Sequence, residues 1–266
     1  MGKFEDSIND IVYKERFPLL KENIELNKPY IKNTINKIYY SLLNKTFIIV
    51  GAGPSLDKNI NILKRYEENN TFIIIYIDMA LKPAIQVGLK PEYIISAEGI
   101  GINYWNDIDT KGMSLFASTC MSHKNLIAWK GDVYFYSWLV DGKFNELWEM
   151  TPDVPQLPTG GIVTSIALSF AVYCFANNVI FIGNDLAYQK DYQYCRGAIG
   201  EGWNKYDYII KQNGKEYYTT GNFAIAKIWM ENFIDKHKNM THFFDLSEPG
   251  LFNAKKLRAK DEKDPL

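Results

Sequence analysis

Short runs of consecutive apolar residues recur along the chain, and several of them end at a glycine or an acidic residue. Phe47–Val50 ends at Gly51, Phe72–Ile77 at Asp78, and Val179–Ile182 at Gly183. Unbroken apolar runs of this kind are typical of parallel strands that are buried on both faces. Further runs predict strands at 91–96, 114–119, 133–138 and 242–246.

Helical periodicity fills the intervals between these runs. Leu56, Ile60 and Leu63 follow the i, i+4, i+7 spacing of a helix that packs one face on a sheet. Other helices are predicted at 79–87, 162–176 and 223–236, and residues 3–44 are predicted to be helical, with a second helix from Tyr30 to Leu43. Alternating strands and helices indicate an α/β fold: an open, mostly parallel sheet with helices on both faces.

The same pattern suggests a division of the chain into three parts. Residues 1–44 are predicted to form an N-terminal helical appendage, 45–252 the α/β domain, and 253–266 a charged C-terminal tail that frays. Residues 185–218 are rich in glycine and tyrosine and have little periodicity, so we predict that this segment covers an active site.

Charge, apolar run lengths and cysteine content argue against several classes of function. Thirty basic residues stand against 31 acidic ones, so no basic field predicts binding to nucleic acid. The longest apolar run near the front has about six residues, far short of the ~20 that span a bilayer. Three widely separated cysteines and a charged N-terminus predict a cytoplasmic protein without a membrane span.

A glycine turn follows the first predicted strand. Gly51 and Gly53 permit close approach of a ligand, Pro54 suits a first helical turn, and Ser55 offers a hydroxyl group. The helix start behind them is a favourable site for phosphate. Leu56 stands where a dinucleotide fingerprint needs a third glycine, and a plain strand-to-helix turn remains an alternative.

Three acidic residues, Asp78, Glu98 and Asp185, directly follow predicted strands. Ligands of open α/β sheets bind at the carboxyl ends of the strands, so these carboxylates are expected at the edge that carries the glycine turn. They could hold Mg²⁺ beside a diphosphate, bind a ribose hydroxyl or act as a base. The alternative is that each only caps a helix.

A second glycine turn, Thr159–Gly161, precedes a predicted apolar helix, and the free N–H groups at the start of that helix are a second candidate site for phosphate. The alternative is a capped helix whose glycine lets it pack closely on the sheet.

Tyr188 could bind a nucleotide or pack within the covering segment. The three histidines are too scattered for a zinc site. His123 follows a predicted strand and is a candidate for the ligand crevice, although a structural role is the simpler interpretation.

Four ordered motifs carry a family resemblance: GAGPSLD at 51–57, GLKPEYIISAE at 88–98, TGGIVTSIAL at 159–168 and VIFIGNDLAY at 179–188. Together they resemble the MptE-like, 6-hydroxymethylpterin diphosphokinase-like family, which includes the catalytic domain of the motility-accessory (Maf) flagellin glycosyltransferases. There is a weaker likeness to bacterial lipooligosaccharide sialyltransferases, whose general-base histidine has no counterpart in KEYYTTGNF at 215–223. The resemblance implies a Rossmann-like, nucleotide-binding core.

It also implies a nucleotide-dependent transferase. The leading interpretation is a glycosyltransferase that uses a CMP-activated nonulosonic (sialic-like) acid or another sugar nucleotide, with a protein or glycan as acceptor and with Asp185 and Glu98 as catalytic residues. One alternative is a Mg²⁺-dependent ATP diphosphokinase acting on 6-hydroxymethyl pterin, in which Asp78, Glu98 and Asp185 hold the metal. Another is a non-catalytic nucleotide-sugar-binding accessory protein of glycosylation. No organic cofactor beyond the nucleotide is expected.

The predicted nucleotide- or phosphate-binding residues are Gly51, Ala52, Gly53, Pro54, Ser55, Asp78, Thr159, Gly160, Gly161 and Tyr188.

Overall fold

The computed structural model describes residues 2–68, 71–139, 144–188, 192–203, 205–212, 214–247, 250–252 and 254–256, with only the backbone for 2–14 and 255–256. Its helices are α1 Gly2–Asn27, α2 Asn36–Leu42, α3 Leu56–Glu67, α4 Asp78–Gln86, α5 His123–Ala128, α6 Asn145–Glu149, α7 Val163–Tyr173 and α8 Gly221–His237. Its strands are β1 Thr46–Val50, β2 Phe72–Ile77, β3 Tyr93–Ser96, β4 Ser114–Ser118, β5 Asp132–Leu139, β6 Gln156–Pro158, β7 Asn178–Ile182, β8 Tyr208–Gln212, β9 Lys215–Thr219, β10 His242–Asp245 and β11 Lys255–Lys256.

Nine strands of the described ranges form one sheet in the order β11-β10-β7-β1-β2-β3-β4-β5-β6. Every pairing in this sheet is parallel, and Thr46 of β1 aligns with Phe72 of β2 on one side and Asn178 of β7 on the other. The chain adds strands outward from β1 as far as β6 and then returns to place β7 on the other side of β1. The β1–β7 boundary is therefore the switch point at which open α/β sheets bind ligands. The predicted Rossmann-like fold class is confirmed.

Helices cover both faces of this sheet. Ile48 and Val50 of β1 pack with Leu56, Ile60 and Leu63 of α3 on one face. The alternate residues of β1, including Phe47, pack on the other face with α7. Because α8 in turn covers α7, the helix α7 is buried almost all round, as its sequence predicted. Within the described ranges, no helix combines the length and the apolarity that crossing a lipid bilayer requires.

The helix α1 packs against the loops at the carboxyl edge of the sheet. Phe17, Leu20 and Ile24 are buried in a cluster with Cys120 and Leu147. A side-chain carbon added at Gly99 would lie 2.4 Å from a Leu20 methyl group, so the loop after β3 touches the helix directly. The division of the chain at residue 44 stays a prediction, but the helix itself is in close contact with the α/β core.

Several elements differ from the sequence predictions. The proline-rich segment predicted as a loop contains the edge strand β6, where Pro158 costs no ladder hydrogen bond to a further strand. The covering segment contains an antiparallel hairpin, β8–β9. The helix predicted from Tyr30 is a 3₁₀ turn, Lys28–Tyr30, followed by α2. In the tail predicted to fray, β11 pairs with β10, and residues 257–266 lie outside the described residues.

Candidate functional site

The loops that follow β1 and β7 pack directly on each other. Gly51 N–H donates to the Ile182 carbonyl (2.8 Å), and Gly53 N–H donates to the Gly183 carbonyl (2.7 Å). A Cβ added at Gly51 would lie 2.4 Å from the Gly183 carbonyl oxygen, and one added at Gly53 would lie 2.0 Å from Asp185 Oδ2. The two glycines are therefore required for contact between parts of the chain, whereas the sequence suggested that they make room for a ligand.

Asp185 lies at the start of α3. Its Oδ2 accepts a hydrogen bond from the Ser55 backbone N–H (3.0 Å), and the residue is 2% exposed. A helix N-terminus favours negative charge, so the carboxylate occupies the position in which the sequence predicted a phosphate. The prediction that Asp185 and the turn at Gly51–Ser55 share one edge of the sheet agrees with this contact.

Asn184 connects three elements at the switch point. Its Nδ2 donates to the carbonyls of Ile49 and Ile182 (2.9 and 3.0 Å). Its Oδ1 accepts from Thr164 Oγ1 at the start of α7 (2.9 Å), and its backbone N–H donates to Ser247 Oγ (2.8 Å). Neither Asn184 nor Ser247 was predicted to have a role from the sequence, although a polar residue close after a buried strand is a signal for Asn184.

Replacing Thr164 with valine is expected to lower the free energy of unfolding by about 1–3 kcal/mol. The buried Asn184 Oδ1 would lose the hydroxyl donor while the side-chain volume stays nearly constant. Urea unfolding of Thr164→Val and Thr164→Ser measures the effect, because serine keeps the hydroxyl group. Equal stability of the two variants would contradict this role.

The backbone N–H groups of the second glycine turn donate hydrogen bonds to nearby hydroxyl groups. Gly160 N–H donates to Ser165 Oγ (2.8 Å), and Gly161 N–H donates to Thr159 Oγ1 (3.1 Å). A Cβ at Gly160 would lie 2.9 Å from the Trp229 ring of α8. These hydroxyl groups bind the turn before α7, whereas the N-cap of the helix itself, Ile162, has no side-chain cap, and Gly160 packs against α8 and not against the sheet. A ligand contact at 159–161 stays a prediction.

Asp78 and Glu98 are neighbours at the carboxyl ends of β2 and β3. Asp78 is 3% exposed and accepts hydrogen bonds from Ser96 Oγ (2.7 Å) and the Met79 backbone N–H (2.8 Å). Burial raises the pKa of Asp78 to about 7, although the two hydrogen bonds lower it, and the negative charge of Glu98 adds to the increase. Glu98 is half-buried, and its Oε1 accepts from the Ile100 backbone N–H (2.8 Å).

Phenol groups surround these two acids. Burial raises the pKa of Tyr104 well above its usual range, and the charges of Asp78 and Glu98 raise it further. Burial raises the pKa of Tyr194 likewise, with contributions from Tyr188 and the two acids. The neighbourhood is therefore electronegative and rich in hydroxyl donors, a chemistry that suits a ligand with amino or hydroxyl groups.

The covering segment lies on the first glycine turn. Cys195 N–H donates to the Ala52 carbonyl (2.8 Å), and Arg196 N–H donates to Asp57 Oδ1 (3.0 Å). Tyr188 is 5% exposed, and its backbone N–H donates to the Tyr218 carbonyl (2.6 Å). Burial raises the pKa of Tyr188 to about 12, and the negative charge of Asp207 adds to the increase. The described part of the segment therefore packs on the turn at the switch point. That it covers an active site stays a prediction.

The three predicted metal ligands do not form one cluster. Within the described part of the chain, no group of three or more His, Cys, Asp or Glu side chains is arranged to hold a metal ion. Asp78 and Glu98 are close enough for their charges to interact, whereas Asp185 accepts a hydrogen bond from the Ser55 backbone N–H at the start of α3. This donor arrangement does not favour a divalent ion held by these three carboxylates, and we assign no chemical step to one.

Comparison with known proteins supports this description of the fold. The structure is similar to the solved structure of the MAf glycosyltransferase from Magnetospirillum magneticum AMB-1, with a TM-score of 0.64 and 16% sequence identity. The similar region covers 82% of this chain but only 34% of that one. No curated protein matches the sequence. The family model described as 6-hydroxymethylpterin diphosphokinase MptE-like matches residues 17–191, more than half of the chain. The chain therefore belongs to the MptE-like family.

Proposed function

We propose that the protein is a nucleotide-dependent transferase, and specifically a glycosyltransferase that uses a CMP-activated nonulosonic acid or another sugar nucleotide. One observation carries the proposal: Ser55 Oγ, fully buried at the start of α3, has no hydrogen-bond partner among the described residues. Native proteins rarely leave such a group unpaired. Membership of the MptE-like family and a fold similar to that of a protein named a glycosyltransferase support the same interpretation.

The donor phosphate is placed at the start of α3. Ser55 Oγ and the Ala52 backbone N–H, which donates to no residue that the structure describes, are its proposed hydrogen-bond donors. A phosphate there would compete with Asp185 for the Ser55 N–H. Two like charges 4 Å apart repel by about 4 kcal/mol at an effective dielectric constant of 20, so the two anions cannot share this position.

This competition gives Asp185 a catalytic role. When the donor phosphate takes over the Ser55 N–H, the carboxylate of Asp185 is released and accepts the proton of the acceptor hydroxyl. The hydroxyl oxygen then forms a bond to the anomeric carbon, and the bond between that carbon and the phosphate oxygen breaks, leaving the nucleoside monophosphate. The helix start stabilises the charge that develops on the leaving phosphate. Glu98 is the second candidate for the base.

Replacing Ser55 with alanine separates binding from folding. We expect an unfolding free energy that is unchanged or higher by up to about 1 kcal/mol, because an unpaired buried hydroxyl is removed. The dissociation constant of the nucleotide should rise about tenfold or more, because a hydrogen bond to a charged group is lost. Urea unfolding and isothermal titration measure the two quantities, with the exposed Ser41→Ala as control. Unchanged affinity would contradict the phosphate position.

A thermal-shift screen with CMP, CTP, ATP and GTP, each with and without Mg²⁺, tests the proposed class of donor. A ligand at 100 times its dissociation constant should stabilise the protein by about 2.7 kcal/mol. A response to cytidine nucleotides alone supports the sugar-nucleotide route. A response to ATP that requires Mg²⁺ favours the diphosphokinase, the activity in the description of the family. No response to any nucleotide contradicts the proposal.

A further inference from the structure

Two asparagines of α1 hold the loops at the carboxyl edge of the sheet. Asn23 Nδ2 donates to the carbonyls of Gly99 (2.9 Å) and Cys120 (3.3 Å), after β3 and β4. Asn27 Nδ2 donates to the carbonyls of Thr119 (3.0 Å) and Met121 (2.8 Å). Both asparagines are buried, so α1 fixes two loops at the edge where the ligand is proposed to bind.

The hydrogen bonds of Asn27 determine which ring nitrogen of a neutral His123 carries the proton. Because Asn27 Nδ2 donates to two carbonyl oxygens, the amide cannot be turned over without placing Oδ1 against them. Asn27 Oδ1 therefore faces His123 Nδ1 at 2.9 Å and must accept a hydrogen bond from it. A neutral imidazole with its proton on Nδ1 carries a lone pair on Nε2. Among the described residues, none forms a hydrogen bond with this Nε2.

His123 also lies beside Glu98 at this edge. The Ser122 backbone N–H donates to the Glu98 carbonyl (2.8 Å), which joins the two loops one residue before His123. The strand β4 is the third neighbour of β1 in the sheet, and three strand spacings amount to roughly 14 Å. A ligand whose phosphate lies at the start of α3 would have to extend across these three strands to contact His123.

We propose that Asn27 holds His123 as the Nδ1–H tautomer, and that His123 Nε2 accepts a hydrogen bond from a hydroxyl group of the donor sugar. His123 is then a substrate-binding residue, and Asn27 is a positioning residue that acts through it. The assignment of the sugar rests on the proposed function. The tautomer rests on the hydrogen bonds of Asn27 alone.

Nuclear magnetic resonance of ¹⁵N-labelled protein tests the tautomer without any ligand. Long-range ¹H–¹⁵N spectra distinguish a protonated ring nitrogen from one with a lone pair, and the spectrum of His123→Phe identifies the signals of His123. Protonated Nδ1 in the wild type, lost in Asn27→Ala and kept in Leu20→Ala, is the expected result. Leu20→Ala removes buried packing of the same helix and so controls for stability. Protonated Nε2 in the wild type would overturn the proposal.

Calorimetric titration with CMP and with CMP-N-acetylneuraminic acid tests the binding role. We expect His123→Phe, which keeps a ring against Tyr30, to bind CMP like the wild type and to bind the sugar nucleotide about tenfold more weakly. Asn27→Ala should behave likewise, and Leu20→Ala should keep the wild-type ratio of the two affinities. An unchanged ratio in His123→Phe would overturn the binding role. If the wild type binds neither compound, the CMP-activated donor of the proposed function and the binding role of His123 toward it both fail, and the spectra still decide the tautomer.

Discussion

Replacing Gly53 with alanine is expected to lower the free energy of unfolding by about 3 kcal/mol. The added Cβ would lie 2.0 Å from Asp185 Oδ2 and 2.8 Å from the Gly183 carbonyl oxygen, so two loops that touch at the switch point must separate. Urea unfolding measures the loss. Gly101→Ala is the matched control, because the nearest atom to its Cβ, Ser122 Oγ, is 3.6 Å away.

A double-mutant cycle identifies the atom responsible. In an Asp185→Ala background the closest contact is absent, while the Gly183 carbonyl remains in place. The loss caused by Gly53→Ala should therefore shrink by at least about 1 kcal/mol without disappearing. A loss of the same size in both backgrounds would show that the carboxylate of Asp185 is not the obstacle.

Asp78 is expected to make the protein less stable as the pH rises from about 4 to about 7. The pKa of this carboxyl group is about 7 in the folded protein, against an ordinary value of 3.8, mainly because it is buried. Between these two values the folded protein binds more protons at Asp78 than the unfolded chain does, so the free energy of unfolding falls. The full decrease is at most about 4 kcal/mol, and above pH 7 the contribution is constant.

Asp78→Asn should remove this dependence, because an amide does not titrate. The stability of the variant relative to the wild type is expected to increase with pH across the same window and then to level off. Urea unfolding at several pH values from 4 to 8 measures it, and Asp109→Asn, at an exposed side chain, serves as control. Parallel stability curves for Asp78→Asn and the wild type would contradict the high pKa.

The parallel sheet could be predicted because its strands carry their signal locally. Phe47–Val50 and Val179–Ile182 are buried on both faces, and their short length and the glycine after each distinguish them from a buried helix such as α7. The hairpin β8–β9 was missed although its sequence contains Asn213-Gly214, a strong turn signal, since its strands are largely exposed and lack a long apolar run. β6 was missed because prolines usually mark loops.

The sequence predicted which edge of the sheet carries the candidate site, but it did not predict which residues contact each other there. Spacing alone placed Gly51–Ser55 and Asp185 at the carboxyl ends of strands. The hydrogen bond between Ser55 and Asp185 joins residues that are 130 positions apart, and those of Asn27 with its loops join residues 92 and 94 positions apart. No local pattern encodes such pairings, because they depend on how distant loops pack.

The central place of β1 has a consequence for synthesis on the ribosome. One neighbour of Thr46 is Phe72, which emerges soon after it, whereas the other is Asn178, 132 residues later. At cellular translation speeds this interval lasts on the order of ten seconds, during which one edge of β1 is unpaired in the nascent chain. An unpaired apolar strand edge invites aggregation, so chaperones that bind emerging polypeptides should protect this protein most strongly until β7 has been made.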